Sequence, residues 1–150
     1  MKKISYYHNF SKSKFSKLTN QERFEMIYNE NFWESNESSS GIGSEIKNTK
    51  EVLRAINQII KQYNIKSIID IPCGDFNWMS TIRDEFPDVY YEGWDANEEM
   101  IVELNDQYGN DNTKFYMKDI TEEKLSNFDL VICRDVLFHL EFSNSLKVLR

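Results

Sequence analysis

The sequence predicts an α/β protein built on a doubly wound, mostly parallel sheet, and three observations carry that prediction. The first is residues 67–79, SIIDIPCGDFNWM, where a β-branched apolar run meets Pro72, Cys73, Gly74 and Asp75 and then gives way to Trp78, Met79 and Ile82 at helical spacing. That is a strand, a tight turn and a helix. The second is the repetition of this alternation down the chain, which a parallel sheet with crossover helices requires. The third is that every predicted strand ends in a polar group: Asp70 to Asp75, then Asp95, then Asp119, then Arg134 and Asp135. Right-handed crossovers bring such ends to one edge of the sheet, where open α/β sheets bind ligands.

Taken in order, residues 1–18 mix Tyr6, Tyr7, Phe10 and Phe15 with lysines and show no period; Lys2, Lys3, Lys12, Lys14 and Lys17 give this arm a basic bias. Thr19 and Glu22 form a capping box, and Phe24, Ile27 and Tyr28 share a face, so a short helix is expected to about residue 29. Residues 31–44 are rich in Ser, Asn and Gly. Composition favours a flexible linker, while Gly41 and Gly43 before a helix capped by Ser44 also fit backbone amides presented to an anion. A helix over 45–63 carries an apolar stripe from Ile46 to Tyr63. Strands are expected at 67–71, 89–94, 114–117 and 128–133. Helices are expected at 76–86, at 97–109 with Asn97 as cap, and from 143 onward, with one helical turn over 121–126.

The 150 residues fit one domain, and 40% hydrophobic with 29% charged residues is ordinary for a globular protein. A net charge of −7 argues against a nucleic-acid backbone as the main partner. No apolar run reaches the length of a membrane span, and no signal-like core follows Lys2 and Lys3. Cys73 and Cys133 make neither a disulfide framework nor a zinc spacing, so free thiols and a cytoplasmic location are expected. No His–carboxylate cluster suggests a metal.

Asp95 follows Gly74 at about the twenty-residue spacing that places an acid on ribose hydroxyls in nucleotide folds. Gly74 lets the turn approach a ligand closely. Each acid also has a structural reading: Asp70 as a loop holder, Asp119 and Asp135 as helix caps. A dinucleotide site calls for G-x-G-x-x-G so that a helix end meets a pyrophosphate. Here one glycine is followed by Asp75, which repels phosphate and suits an amino group. The turn therefore fits a cationic, phosphate-free nucleoside.

The stretches IIDIPCGDFNWM, YYEGWDANEEMI, KFYMKDIT and FDLVICRDVLFHL resemble, in order, the motifs of class I S-adenosylmethionine-dependent methyltransferases. The resemblance runs from about residue 38 to the end and is best to a bacterial subgroup associated with surface-polysaccharide or sugar modification. Trp33 and the S-x-S-G-x-G-S stretch at 38–44 resemble that subgroup too; Pro72, where the wider family has glycine, departs from it. The resemblance implies a Rossmann-like doubly wound parallel sheet whose carboxyl-terminal strands are absent. It divides the chain into an amino-terminal helical segment and lid-like loop, 1–43, and an incomplete S-adenosylmethionine-binding domain, 44–150.

By the same resemblance Asp70, Cys73, Gly74 and Asp75 line the methionine part of the cofactor. Asp95 holds the ribose diol with Ala96 beside the adenine, and Asp119 and Ile120 contact the adenine. Cys133 and Arg134 lie beneath the reactive sulfur, together with Asp135. Trp33, Gly41, Gly43 and Ser44 form a lid. Asp135, and after it His139, are the candidate bases for a hydroxyl acceptor, a small molecule or sugar. Two alternatives stay open: a noncatalytic cofactor-binding module, and a nicotinamide-dependent oxidoreductase, which the single glycine and Asp75 disfavour. In the order 3-2-1-4 the apolar fourth strand falls at an edge, a liability that further strands beyond Arg150 or a partner chain would relieve.

Overall fold

The structure is a computed structural model and describes residues 18–30 and 32–149. The basic arm read in residues 1–17 lies outside the described residues. Helix α1 (Asn20–Asn29) opens on the expected capping box: the Thr19 hydroxyl accepts from the Glu22 amide at 3.2 Å, and the Glu22 carboxylate accepts from the Thr19 amide at 2.8 Å. A single 3₁₀ turn (Ile42–Ser44) leads into α2 (Ile46–Tyr63), which Asn64 ends in a left-handed conformation. Then come β1 (Ser67–Asp70), α3 (Ser80–Glu85), β2 (Tyr90–Asp95), α4 (Glu98–Tyr108), β3 (Thr113–Met117), β4 (Leu130–Ile132), a 3₁₀ turn (Leu137–His139) and α5 (Phe142–Val148).

The strands form one sheet in the order β3-β2-β1-β4, every pairing parallel, with β4 at the edge. Register sets the two faces. Ile68 lies opposite Tyr91 and Leu130, while Ile69 lies opposite Glu92 and Val131. On the Ile68 face, Tyr91, Phe115 and Ile132 join Ile56 and Ile60 of α2, Ile82 of α3, and Met100, Ile101 and Leu104 of α4 in one large buried cluster. On the Ile69 face the buried cluster is small: Ile69, Ile71 and Trp94, with Ile120 and Phe128 against them. Arg83 ties α3 to the sheet: it donates to Thr113 Oγ1 at 3.1 Å and to the carbonyls of Phe86, Pro87 and Val89.

Beyond one-residue shifts at element ends, four elements differ from the sequence-based expectation. Strand β4 spans Leu130–Ile132 instead of 128–133 because Asp129 leaves the ladder: its carboxylate accepts from the Lys66 and Ser67 amides at 2.8 and 3.0 Å, which holds it below its usual pKa. Helix α3 starts at Ser80 instead of 76 because Phe76 sits in the left-handed region, at φ 61°, and residues 77–79 form a turn. The turn expected over 121–126 closes earlier, with the Glu122 and Glu123 amides donating to the Asp119 carbonyl. Helix α2 is not capped by Ser44. Its N-cap is Glu45, and the Ile46 amide donates to the remote Glu37 carboxylate at 2.6 Å.

Candidate ligand site at the carboxyl edge of the sheet

The ends of β1, β2, β3 and β4 and the segment before α2 enclose an open cleft of about 990 Å³, including solvent at its mouth. Its floor is the turn after β1. The Cys73 amide donates to the Trp94 carbonyl at 2.8 Å, which splices the turn onto β2 past the end of β1. The Ile71–Pro72 peptide is cis. Gly74 has φ 55°, and a Cβ there would land on Ser40 Oγ, so glycine is required for both conformation and space.

Asp95 ends β2 at the centre of this floor. One carboxylate oxygen accepts from the Gly74 amide and the other from the Asn97 amide, each at 3.1 Å. Burial nevertheless pushes its pKa up to about 6, against the pull of those amides. Each oxygen keeps a lone pair for a ligand hydroxyl. Asn97 caps α4 through Oδ1, which accepts from the Met100 amide at 3.0 Å. Around Asp95 lie Trp94, Ala96, Met100 and Ile120, an apolar surround suited to a flat base, with Asp119 beside them. Asp119 accepts from the Thr121 amide at 2.8 Å. The Lys118 ammonium lies 3.9 Å from the Trp94 ring centre, a cation–π contact at the cleft wall.

The β4 side supplies Arg134, Asp135, Val136, His139 and Leu140, facing Trp33 and Trp78. Arg134 pairs with Asp135 at 2.9 Å and donates to the Gly43 carbonyl at 3.0 Å. Asp135 has φ 58°, a left-handed conformation that costs a non-glycine residue energy. The His139 ring centre is 5.6 Å from that of Trp33, and burial lowers its pKa below the usual histidine value while Asp135 opposes the shift.

Of the residues singled out in the sequence, Cys73, Gly74, Asp95, Ala96, Asp119, Ile120, Arg134, Asp135, His139, Trp33 and Ser44 line this cleft. Asp70, Asp75, Cys133, Gly41 and Gly43 do not. Asp70 is 2% exposed beneath the floor, where it accepts from the Tyr91 hydroxyl at 2.9 Å, and burial raises its pKa to about 7. Asp75 bonds to the 37–44 loop. Cys133 is exposed and its thiol is free. The Gly41 amide is not available to an anion, because it donates to the Ser38 carbonyl at 2.9 Å. Nor is 37–44 a loose linker. It is pinned through Glu37, Ser39, Ser40, Gly43 and Ser44. Phe24, Tyr28, Ser39 and Ser40 also line the cleft; the first two share the face that predicted α1, but nothing local in the sequence aims that face at the strand ends.

Three solved structures share this architecture. The methyltransferase domain of bacterial CtHen1 matches 67% of this chain and 57% of its own at 18% identity, with a TM-score of 0.56. A sugar N-methyltransferase from Streptoalloteichus matches 73% of this chain and 44% of its own at 16% identity, with a TM-score of 0.54. An amino pentose methyltransferase from Micromonospora echinaspora, involved in calicheamicin biosynthesis and solved with S-adenosylmethionine bound, matches 67% and 42% at 16% identity, with a TM-score of 0.53. The chain thus spans about half the length of these proteins. No family model matches the sequence, and no curated protein does.

Proposed function

We propose that this chain, whose parallel Rossmann-like sheet is shared with solved methyltransferases, is the cofactor-binding part of an S-adenosylmethionine-dependent methyltransferase acting on a hydroxyl of a small molecule or sugar. The observation that carries this reading is Asp95, fixed by two backbone amides at the base of the cleft with a lone pair on each oxygen left to accept from a ligand diol. The residues present fit the cofactor. The Asp95 carboxylate would accept from a ribose diol, Ala96, Met100 and Ile120 would pack a base, and Asp119 would accept from its amino group. When bound, that cofactor supplies the electrophilic methyl group.

The chain's own work is placement and proton removal. Trp33, Trp78 and Leu140 form an apolar wall on the β4 side, which orients an acceptor and limits water. Aromatic rings beside carboxylate and guanidinium groups suit a sugar, whose faces are apolar and whose edges bear hydroxyls. Asp135 and His139, both in the cleft lining on the β4 side, are the candidate bases. Asp135 is engaged by Arg134, whereas burial keeps His139 neutral near pH 7 and so able to take a proton.

The test is calorimetric titration with S-adenosylhomocysteine, repeated on Asp95→Ala and with NAD⁺ in place of the first ligand. Wild-type binding weakened at least tenfold in Asp95→Ala is expected, since hydrogen bonds to a charged group contribute about 1.5–3 kcal/mol each. Binding of NAD⁺ with no binding of the homocysteine compound would sink the reading.

A further inference from the structure

Asp75 follows the turn glycine, yet it does not line the cleft. Its carboxylate is directed at the loop that precedes α2. One oxygen accepts from Ser39 Oγ at 3.2 Å and from the Ser40 amide at 3.5 Å, and the other accepts from the Asn77 amide at 3.3 Å. In return the Asp75 amide donates to Ser40 Oγ at 2.9 Å. The arrangement is reciprocal, like a capping box between segments 35 residues apart. Ser39 and Ser40 do line the cleft, and so does Tyr28 of α1. Two further ties hold the same loop. Asn77 donates to Glu37 Oε1 and to the Ser44 carbonyl, and Arg134 donates to the Gly43 carbonyl from the opposite side.

We propose that Asp75 is a positioning residue that acts through Ser39 and Ser40, holding the 37–44 loop as a preformed wall of the ligand cleft. The proposal rests on the cofactor reading for its ligand, but the state of the wall can be measured without one. A loop of serines and glycines loses conformational entropy when it is ordered, and a loop already ordered in the free protein lowers that cost at the moment of binding. Asp75 suits the task because a carboxylate accepts several donors at once, and a charged acceptor makes each bond stronger than a neutral one would.

The experiment compares wild type, Asp75→Ala, Asp75→Asn, Ser39→Ala/Ser40→Ala, and the triple variant. In ligand-free protein, Asp75→Ala should raise hydrogen exchange of the 38–41 amides at least tenfold while the β1 and β2 amides keep their protection. Asp75→Asn, which retains an acceptor oxygen, should fall between the two. Should Asp75→Ala lose protection in the sheet as well, Asp75→Asn carries the comparison. For S-adenosylhomocysteine, Asp75→Ala and the serine pair should each weaken binding about tenfold, and Asp75→Ala added to the serine pair should change it less than twofold. Losses that multiply would mean that Asp75 meets the ligand itself, and unchanged exchange in 38–41 would mean that it orders nothing; either result overturns the proposal. If wild type binds none of this ligand, the cofactor reading fails, and exchange alone decides whether Asp75 holds the loop.

Discussion

The two faces of the sheet are built to different depths. On the Ile68 face, three helices bury a continuous cluster in which Phe76 packs its ring against Tyr91, Tyr108 and Phe115 at centroid distances of 5.0–5.1 Å. On the Ile69 face, Val131 and Tyr116 are 47% and 40% exposed, and Phe128 meets Tyr90 in a loose stack at 6.3 Å. The same strands serve both faces, so strand propensity is not the difference. The connections between strands are. The crossovers after β1 and β2 return helices to the Ile68 face, whereas residues 118–129 after β3 form one turn and an irregular stretch. Stability is therefore expected to come mostly from one face, and the cleft floor is anchored to that face through Cys73 and Phe76, both in its cluster.

The largest effect should come from Phe76→Ala, which empties the centre of the deep face. Loss of a buried phenylalanine costs about 3–5 kcal/mol. Phe128→Ala, on the shallow face, should cost about 1.5 kcal/mol or less, because its surroundings are already partly open to solvent. Urea unfolding of both variants measures the ratio directly. Equal losses would show that the shallow face contributes as much as the deep one.

The next effect probes the polar pair within the deep face. Tyr91→Phe removes the hydroxyl that donates to the buried Asp70 carboxyl, and an unpaired buried acceptor costs about 1–3 kcal/mol. The same pair makes stability depend on pH. Asp70 rises from an ordinary 3.8 to about 7 in the folded protein, so between pH 4 and 7 the native state holds a proton that the unfolded chain has released. Stability contributed by this proton is complete below pH 4 and is lost as pH rises through 7. Asp95, raised to about 6, has the same sign over a narrower window. The exposed Glu22, Glu85 and Asp129, with lowered pKa values, act oppositely as pH falls through the carboxylate range. The informative quantity is therefore a difference. Between pH 4.5 and 7.5, thermal unfolding of Asp70→Asn should show a smaller loss of stability than wild type. Parallel pH profiles would show that Asp70 does not titrate between the two states.

Much of this frame is legible in the sequence because it rests on local rules. The capping box at Thr19, the Asn97 cap and the period of α2 each depend on neighbours within one or two turns. The gathering of polar ends along one edge follows from parallel, right-handed crossovers, and the strand order is the one the family resemblance implies. What the sequence conceals is long-range. Nothing near Glu37 indicates that it caps α2, nor does anything near Asp129 indicate that it holds the amides before β1. The serines at 38–40 read as linker because composition reports their propensity and not Asp75, which reaches them from the far side of the turn. Asp70 shows the reverse case. Its position in an apolar strand marks it as special, but only the register with Tyr91 reveals that its carboxyl is already satisfied beneath the floor.

The smallest effect belongs to the edge of the shallow face, and it sharpens the comparison most. Val131 is central to β4, faces the same side as Ile69, and remains 47% exposed. Val131→Thr keeps the branched shape that suits a strand and replaces one methyl with a hydroxyl. On a buried face that exchange is unfavourable, because a hydroxyl without a partner is costly to bury. At this open edge the hydroxyl stays hydrated, and the change in unfolding free energy should be within about 0.5 kcal/mol. The measurement is the urea midpoint of Val131→Thr at two protein concentrations about tenfold apart. A concentration-independent change of that size fits an edge that is free in solution. A loss of about 1 kcal/mol or more that grows with concentration would mean that a second copy covers Val131, since association stabilises the folded state by mass action and a hydroxyl trapped in that contact would weaken it.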